Sequence, residues 1–108
     1  MIGVDIVKVE RIKRAVERWG ERFLSRVYSR EEINYCMRKK NPYPSLAARF
    51  ALKEAFYKAT GGKTSFHDIS YTQKPRLTPH AEKILQGKSF SLSLSHDGEY
   101  AIAVVEII

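Results

Sequence analysis

The chain has 108 residues, 44% of them hydrophobic and 29% charged, which suits one packed domain and is too short for two. A lone cysteine, Cys36, excludes an internal disulfide and any multi-cysteine metal centre, and a reducing, cytoplasmic setting is expected. The net charge of +7 predicts an anionic partner, whether nucleic acid, a phosphate-rich small molecule or an acidic protein.

Ile2-Gly3-Val4-Asp5-Ile6-Val7 reads as a short strand with Ile2, Val4 and Ile6 on one face. From about Val9 to Tyr28 the period becomes helical, and Ile12, Val16, Trp19, Phe23 and Val27 form one apolar stripe that Gly20 breaks or bends. Ser29-Arg30-Glu31-Glu32 is a capping-box pattern that starts a short helix to about Arg38. A loop with two prolines follows. Ser45 is expected to cap a helix from Leu46 to Thr60, which Gly61-Gly62 ends. Phe66 to Thr72 looks like a strand and Lys74-Pro75 a turn or edge. Thr78-Pro79 opens a helix to about Leu85, stopped by Gly87. Ser89 to Ser95 and Tyr100 to Ile108 read as strands joined by an Asp97-Gly98 hairpin turn. The expected fold is α+β: a single domain over residues 1–108, with an N-terminal strand and helices packed on a small antiparallel sheet. The start of the chain shows no secretory pattern, and no apolar run reaches the roughly 18–20 residues of a membrane helix, so no membrane partner is expected.

The helix from Leu46 to Thr60 is apolar on nearly every side yet carries Arg49, Lys53, Glu54 and Lys58. Buried charge is costly when unpaired, so these groups either pair or face a polar cleft; Glu54 and Lys58 have the spacing of an i,i+4 pair. Asp5, inside an apolar strand, either points to solvent or joins a second carboxylate around a hard cation such as Mg²⁺. Glu54 is the best-placed second carboxylate. Arg11, Arg14, Arg18, Arg22 and Arg26 share a face of the first helix, which is either an ordinary solvated basic face or a docking face for carboxylates or phosphates. His67 and His80 have no metal-ligand spacing, and Cys36 has no histidine near it in sequence.

Gly3-Val4-Asp5, followed some fifty residues later by the run from Arg49 to Ala59 (Arg-Phe-Ala-Leu-Lys-Glu-Ala-Phe-Tyr-Lys-Ala), resembles the two signatures of the phosphopantetheinyl transferases. Ser29-Arg30-Glu31-Glu32, Ser93-Leu94-Ser95-His96 and Tyr100-Ala101-Ile102-Ala103 extend the likeness over nearly the whole chain. The short length resembles the family's holo-acyl-carrier-protein synthase branch. That resemblance implies transfer of 4′-phosphopantetheine from coenzyme A to a serine of apo acyl carrier protein. It implies Asp5 and Glu54 as Mg²⁺ ligands, Lys58 on the phosphates, and Glu54 as the group that helps deprotonate the serine. It implies Arg49, Lys53, Gly61 and His96 near the nucleotide, and Arg11, Arg14, Arg18 and Arg22 as the carrier-docking residues of a homotrimer. One departure stands out, since Gln73-Lys74-Pro75 replaces the family's usual Gly-Lys-Pro. The competing readings are a small basic nucleic-acid-binding domain without catalysis and a non-catalytic module that docks an acidic protein. The aromatics lie at helix-core spacing and no nucleic-acid motif is present, which weighs against the former. Charges inside the apolar helix weigh against the latter.

Overall fold

The computed structural model describes all 108 residues. Three antiparallel strands, β1 (Ile2–Lys8), β4 (Phe90–Asp97) and β5 (Tyr100–Ile107), form a sheet in the order β1-β5-β4. The helix α4 (Tyr43–Ala59) lies across one face of it. Around α4 stand α1 (Val9–Trp19), α2 (Glu21–Val27) and α3 (Arg30–Met37). A 3₁₀ turn (Phe66–Asp68), the two-stranded ribbon β2 (Ile69–Tyr71) and β3 (Pro75–Leu77), and α5 (Pro79–Leu85) complete the fold.

Small residues allow α4 to sit close to the sheet. Ala47, Ala48, Ala51, Ala55 and Ala59 are buried, as are Ala101 and Ala103 of β5. Gly3 makes the closest approach. A Cβ at that position would overlap the Ala55 carbonyl oxygen and come within 2.8 Å of the Ala59 amide nitrogen. The β1 register pairs Gly3 with Val105, Asp5 with Ala103 and Val7 with Ala101. Gly3, Asp5 and Val7 therefore face α4, while Ile2, Val4 and Ile6 share the opposite, exposed face. Tyr100, Ile102 and Val104 continue this apolar outer face on β5.

Several local expectations are corrected. The first helix is two helices, because Gly20 adopts φ +54°, ψ −130°, a conformation available only to glycine without strain, and α2 starts afresh after it. The apolar stripe is interrupted at Trp19 and resumes on α2, where Phe23 packs against the core and Val27 is buried. Trp19 is 49% exposed, with the Arg18 guanidinium 4.9 Å from its ring centre. The central helix begins at Tyr43 with Pro44 in its first turn, so Ser45 is not a cap. The Ser45 hydroxyl instead accepts from Arg49 Nη1 at 2.8 Å. The hairpin turn is Gly98-Glu99, since Asp97 pairs with Tyr100. Only Ile69–Tyr71 of the expected 66–72 strand is extended, because Asp68 folds the preceding residues into a turn by accepting from the Ser65 amide at 2.8 Å. The capping box at Ser29 and Glu32 and the Thr78 cap of α5 both form as expected.

Candidate active site

Asp5 and α4 meet because Gly3 lets β1 lie on the helix backbone. Lys58 Nζ donates to Asp5 Oδ1 at 3.2 Å and to the Val4 carbonyl at 3.0 Å. The Asp5 side chain is only 17% exposed while that of Lys58 is 51% exposed, so the pair lies at the edge of the interior. The intrahelical Glu54–Lys58 pair does not form, as Lys58 turns to β1 instead. Glu54 is one turn before Lys58 on the adjoining strip of α4, half-buried and without an ion-pair partner in the chain. Together with Lys53, Tyr57, Thr64, Ser65 and Phe66 it lines a groove of about 420 Å³. Lys58 and Gly61 are exposed at this end of α4.

The donor chemistry here is oxygen only. Two carboxylates suit a hard divalent cation that retains waters and shares phosphate oxygens with a substrate. No third acid, histidine or cysteine joins them, unlike a calcium or zinc centre caged wholly by protein.

Arg49 and Lys53, expected beside a nucleotide, are both buried and held by protein partners, and Lys53 also borders the groove at Glu54. Lys53 and Glu32 form an ion pair at 2.9 Å with both side chains fully buried. Lys53 Nζ also donates to the carbonyls of Phe66 at 2.8 Å and Ile69 at 2.6 Å. Burial pushes the Lys53 ammonium below its ordinary value, and the adjacent Glu32 carboxylate opposes that push. Arg49 is buried with its guanidinium between Tyr35 and Tyr71, 4.9 and 5.5 Å from their ring centres. It donates to the carbonyls of Tyr71 at 2.8 Å and Thr72 at 2.9 Å. In a helix buried on nearly all sides, these long cations reach the nearest unpaired carbonyls.

Glu32 is the residue that sequence reasoning missed. Its role as the third residue of a capping box hid a second one, and the available signal was Lys53, whose apolar surroundings demanded a buried carboxylate. His96, expected near the nucleotide, is exposed near the end of β4 opposite Ala101. His67 and His80 meet the carbonyls of Ser25 and Lys63 at 3.0 and 3.1 Å. The Cys36 thiol is buried against the Ser45 hydroxyl at 3.3 Å, and burial pushes its pKa up, which leaves it inert.

The arginine face divides at Gly20. Arg11, Arg14 and Arg18 lie on α1, while Arg22 and Arg26 lie on α2, all of them exposed. Arg14 pairs with Glu10 at 3.3 Å on the surface, and the others form no ion pair. Trp19, Arg22, Phe23 and Arg26 surround a depression of about 320 Å³ at the break.

The chain was compared with known proteins. Residues 1–105 match the family model described as the 4′-phosphopantetheinyl transferase superfamily. A holo-acyl-carrier-protein synthase from Carboxydothermus hydrogenoformans is 50% identical, with 94% of this chain and 92% of the relative covered. The crystal structure of the Helicobacter pylori holo-acyl-carrier-protein synthase in complex with coenzyme A superposes with a TM-score of 0.89 at 37% identity, over 100% of both chains. The Neisseria meningitidis enzyme of the same name gives a TM-score of 0.85 at 37% identity, over 99% of this chain and 96% of that one.

Proposed function

The chain belongs to the 4′-phosphopantetheinyl transferase superfamily, and from that premise we propose how its residues carry out the reaction. It transfers 4′-phosphopantetheine from coenzyme A to a serine of apo acyl carrier protein and releases adenosine 3′,5′-bisphosphate. The serine oxygen forms a bond to the β-phosphorus as the bond from that phosphorus to the bridging oxygen breaks. The electron pair leaves with the nucleotide. The observation that supports the residue assignment is the contact from Lys58 to Asp5, which unites two motifs fifty residues apart beside Glu54.

Asp5 and Glu54 would hold Mg²⁺, which when bound neutralises phosphate charge and orients the reacting group. Glu54 has a carboxylate free of ion pairs and open to the groove, so it accepts the serine proton directly or through one water. Lys58, anchored on the Val4 carbonyl, holds a fixed positive charge where the diphosphate lies. Arg11, Arg14, Arg18 and Arg22 receive the acidic surface of the carrier. Gly61 and His96 flank the coenzyme A site from α4 and β4. We also propose that three copies assemble through the apolar outer face of the sheet. Ile2, Ile6 and Val4 are 65, 60 and 50% exposed there, a patch of the kind that subunit interfaces cover. No helix is long and apolar enough to cross a membrane, and the single, buried, free cysteine supports a cytoplasmic setting.

The test incubates the protein with apo acyl carrier protein, coenzyme A and Mg²⁺ and follows the carrier by mass spectrometry. Gain of one phosphopantetheine group is expected with the unmodified protein, and none with Asp5→Ala or Glu54→Ala although both remain folded. Full activity in either variant would remove that residue from the site.

A further inference from the structure

Lys53 and Glu54 are neighbours in α4, about 100° apart around it, and both border the groove; the Lys53 side chain is fully buried while Glu54 is half-buried. All three ammonium protons of Lys53 are taken by Glu32 and by the Phe66 and Ile69 carbonyls. Glu32 accepts in addition from the Ser29 amide at 2.9 Å and from the Tyr71 amide at 2.9 Å. One buried ion pair therefore grips the chain at residues 66, 69 and 71. Thr64, Ser65 and Phe66, just before and at the first of these points, form the groove wall facing Glu54 and Tyr57. This wall has little regular structure to hold it, only a three-residue turn and a three-residue strand. Buried ion pairs are seldom more stabilising than well-packed apolar residues, so the geometry they impose is the better account of this one.

We propose that Glu32 and Lys53 form a positioning pair that holds the Thr64–Phe66 wall at its working distance from Glu54 and thereby sets the affinity of the groove for coenzyme A. The pair touches no reacting atom. The inference rests on the reaction described above, so the experiment separates the two. Steady-state kinetics on the full chain, with coenzyme A, apo carrier and Mg²⁺, compare Glu32→Gln with the unmodified protein. KM for coenzyme A should rise about tenfold while kcat and KM for the carrier stay within about threefold. A role in overall stability alone would lower the active fraction, and with it the apparent kcat, and leave KM unmoved; that result overturns the proposal. The double variant Glu32→Met with Lys53→Met removes both charges. Its melting temperature should recover relative to Lys53→Met while KM stays raised, because the Phe66 and Ile69 carbonyls still lack their donor. Return of KM together with stability overturns the proposal as well. Glu32→Asp keeps both charges but withdraws the carboxylate by one methylene. It serves where the glutamine variant does not fold, with the same rise expected and an unchanged KM counting against the pair. If the unmodified protein transfers no group, the reaction assignment fails, and calorimetric binding of coenzyme A to the same variants still decides the positioning role. If it transfers and Glu32→Gln keeps its KM and affinity, only the positioning role fails.

Discussion

A methyl group at position 3 would overlap the Ala55 carbonyl oxygen, and neither backbone can retreat without separating the sheet from its helix. Gly3→Ala should cost stability at the upper end of the about 1–3 kcal/mol typical of over-packing, read as a lower urea midpoint. Because Asp5 lies two residues away, the surviving folded protein should also transfer more slowly. Asp68 sets a second residue-scale expectation. Burial, its largest single influence, raises the carboxyl pKa, but hydrogen bonds from the Thr78 hydroxyl and from the Ser65 amide and hydroxyl together outweigh it and hold the group below its ordinary 3.8. The folded state thus binds this proton less readily than the unfolded chain. The stabilisation is present above about pH 4 and is lost as pH falls from there through the folded value. Urea midpoints at pH 6 and pH 3 should converge for the unmodified protein and Asp68→Asn; a constant gap would refute the assignment. Residue identities in the two motifs were enough to nominate Asp5, Glu54 and Lys58. They could not distinguish Lys58, which meets a distant strand, from Lys53, which is buried, because the difference lies in what packs against each side of α4.

At the scale of elements, periodicity and capping patterns located the helical segments but merged α1 with α2, and the ends moved wherever a neighbour supplied the deciding bond. Pro44 extended α4 by a turn, and Asp68 turned half an expected strand into a 3₁₀ turn. Periodicity also ran one helix through Gly20, where the positive-φ backbone ends α1 and α2 starts. That break matters for docking, because the arginines are shared between two short helices and are not carried on one long one. Arg14→Glu combined with Arg18→Glu should raise KM for the carrier at least about tenfold, or about 1.4 kcal/mol, and leave KM for coenzyme A nearly unchanged. The carrier term should weaken further with added salt. Equal losses for both substrates would remove α1 from the docking face.

At the scale of the molecule, β1 and β5 carry apolar residues on both faces, and alternation alone could not show which side meets α4. Ile2, Val4 and Ile6 looked like the natural inner face of β1, yet Gly3, Asp5 and Val7 occupy it. The decision rests on size, since only the smaller set fits under a helix this close. The outer set is then available to other copies. Ile6→Lys combined with Ile102→Lys should reduce the light-scattering mass from three chains to one. A one-chain mass for the unmodified protein would remove the trimer.

The same dependence on size governs how β5 finds its place. Tyr100, Ile102 and Val104 alternate with Ala101, Ala103 and Val105, so over these six residues a slip of one would exchange one apolar set for another, and only Glu106 near the strand end would be turned inward. Over those six, what forbids the slip is volume. Ile102 and Val104 would press on the alanine surface of α4 where Ala101 and Ala103 now lie, each adding bulk to a close-packed contact. Along most of the strand the correct alignment is therefore enforced by the docked helix, with Glu106 supplying the one polar signal for register that a sheet formed ahead of α4 would have.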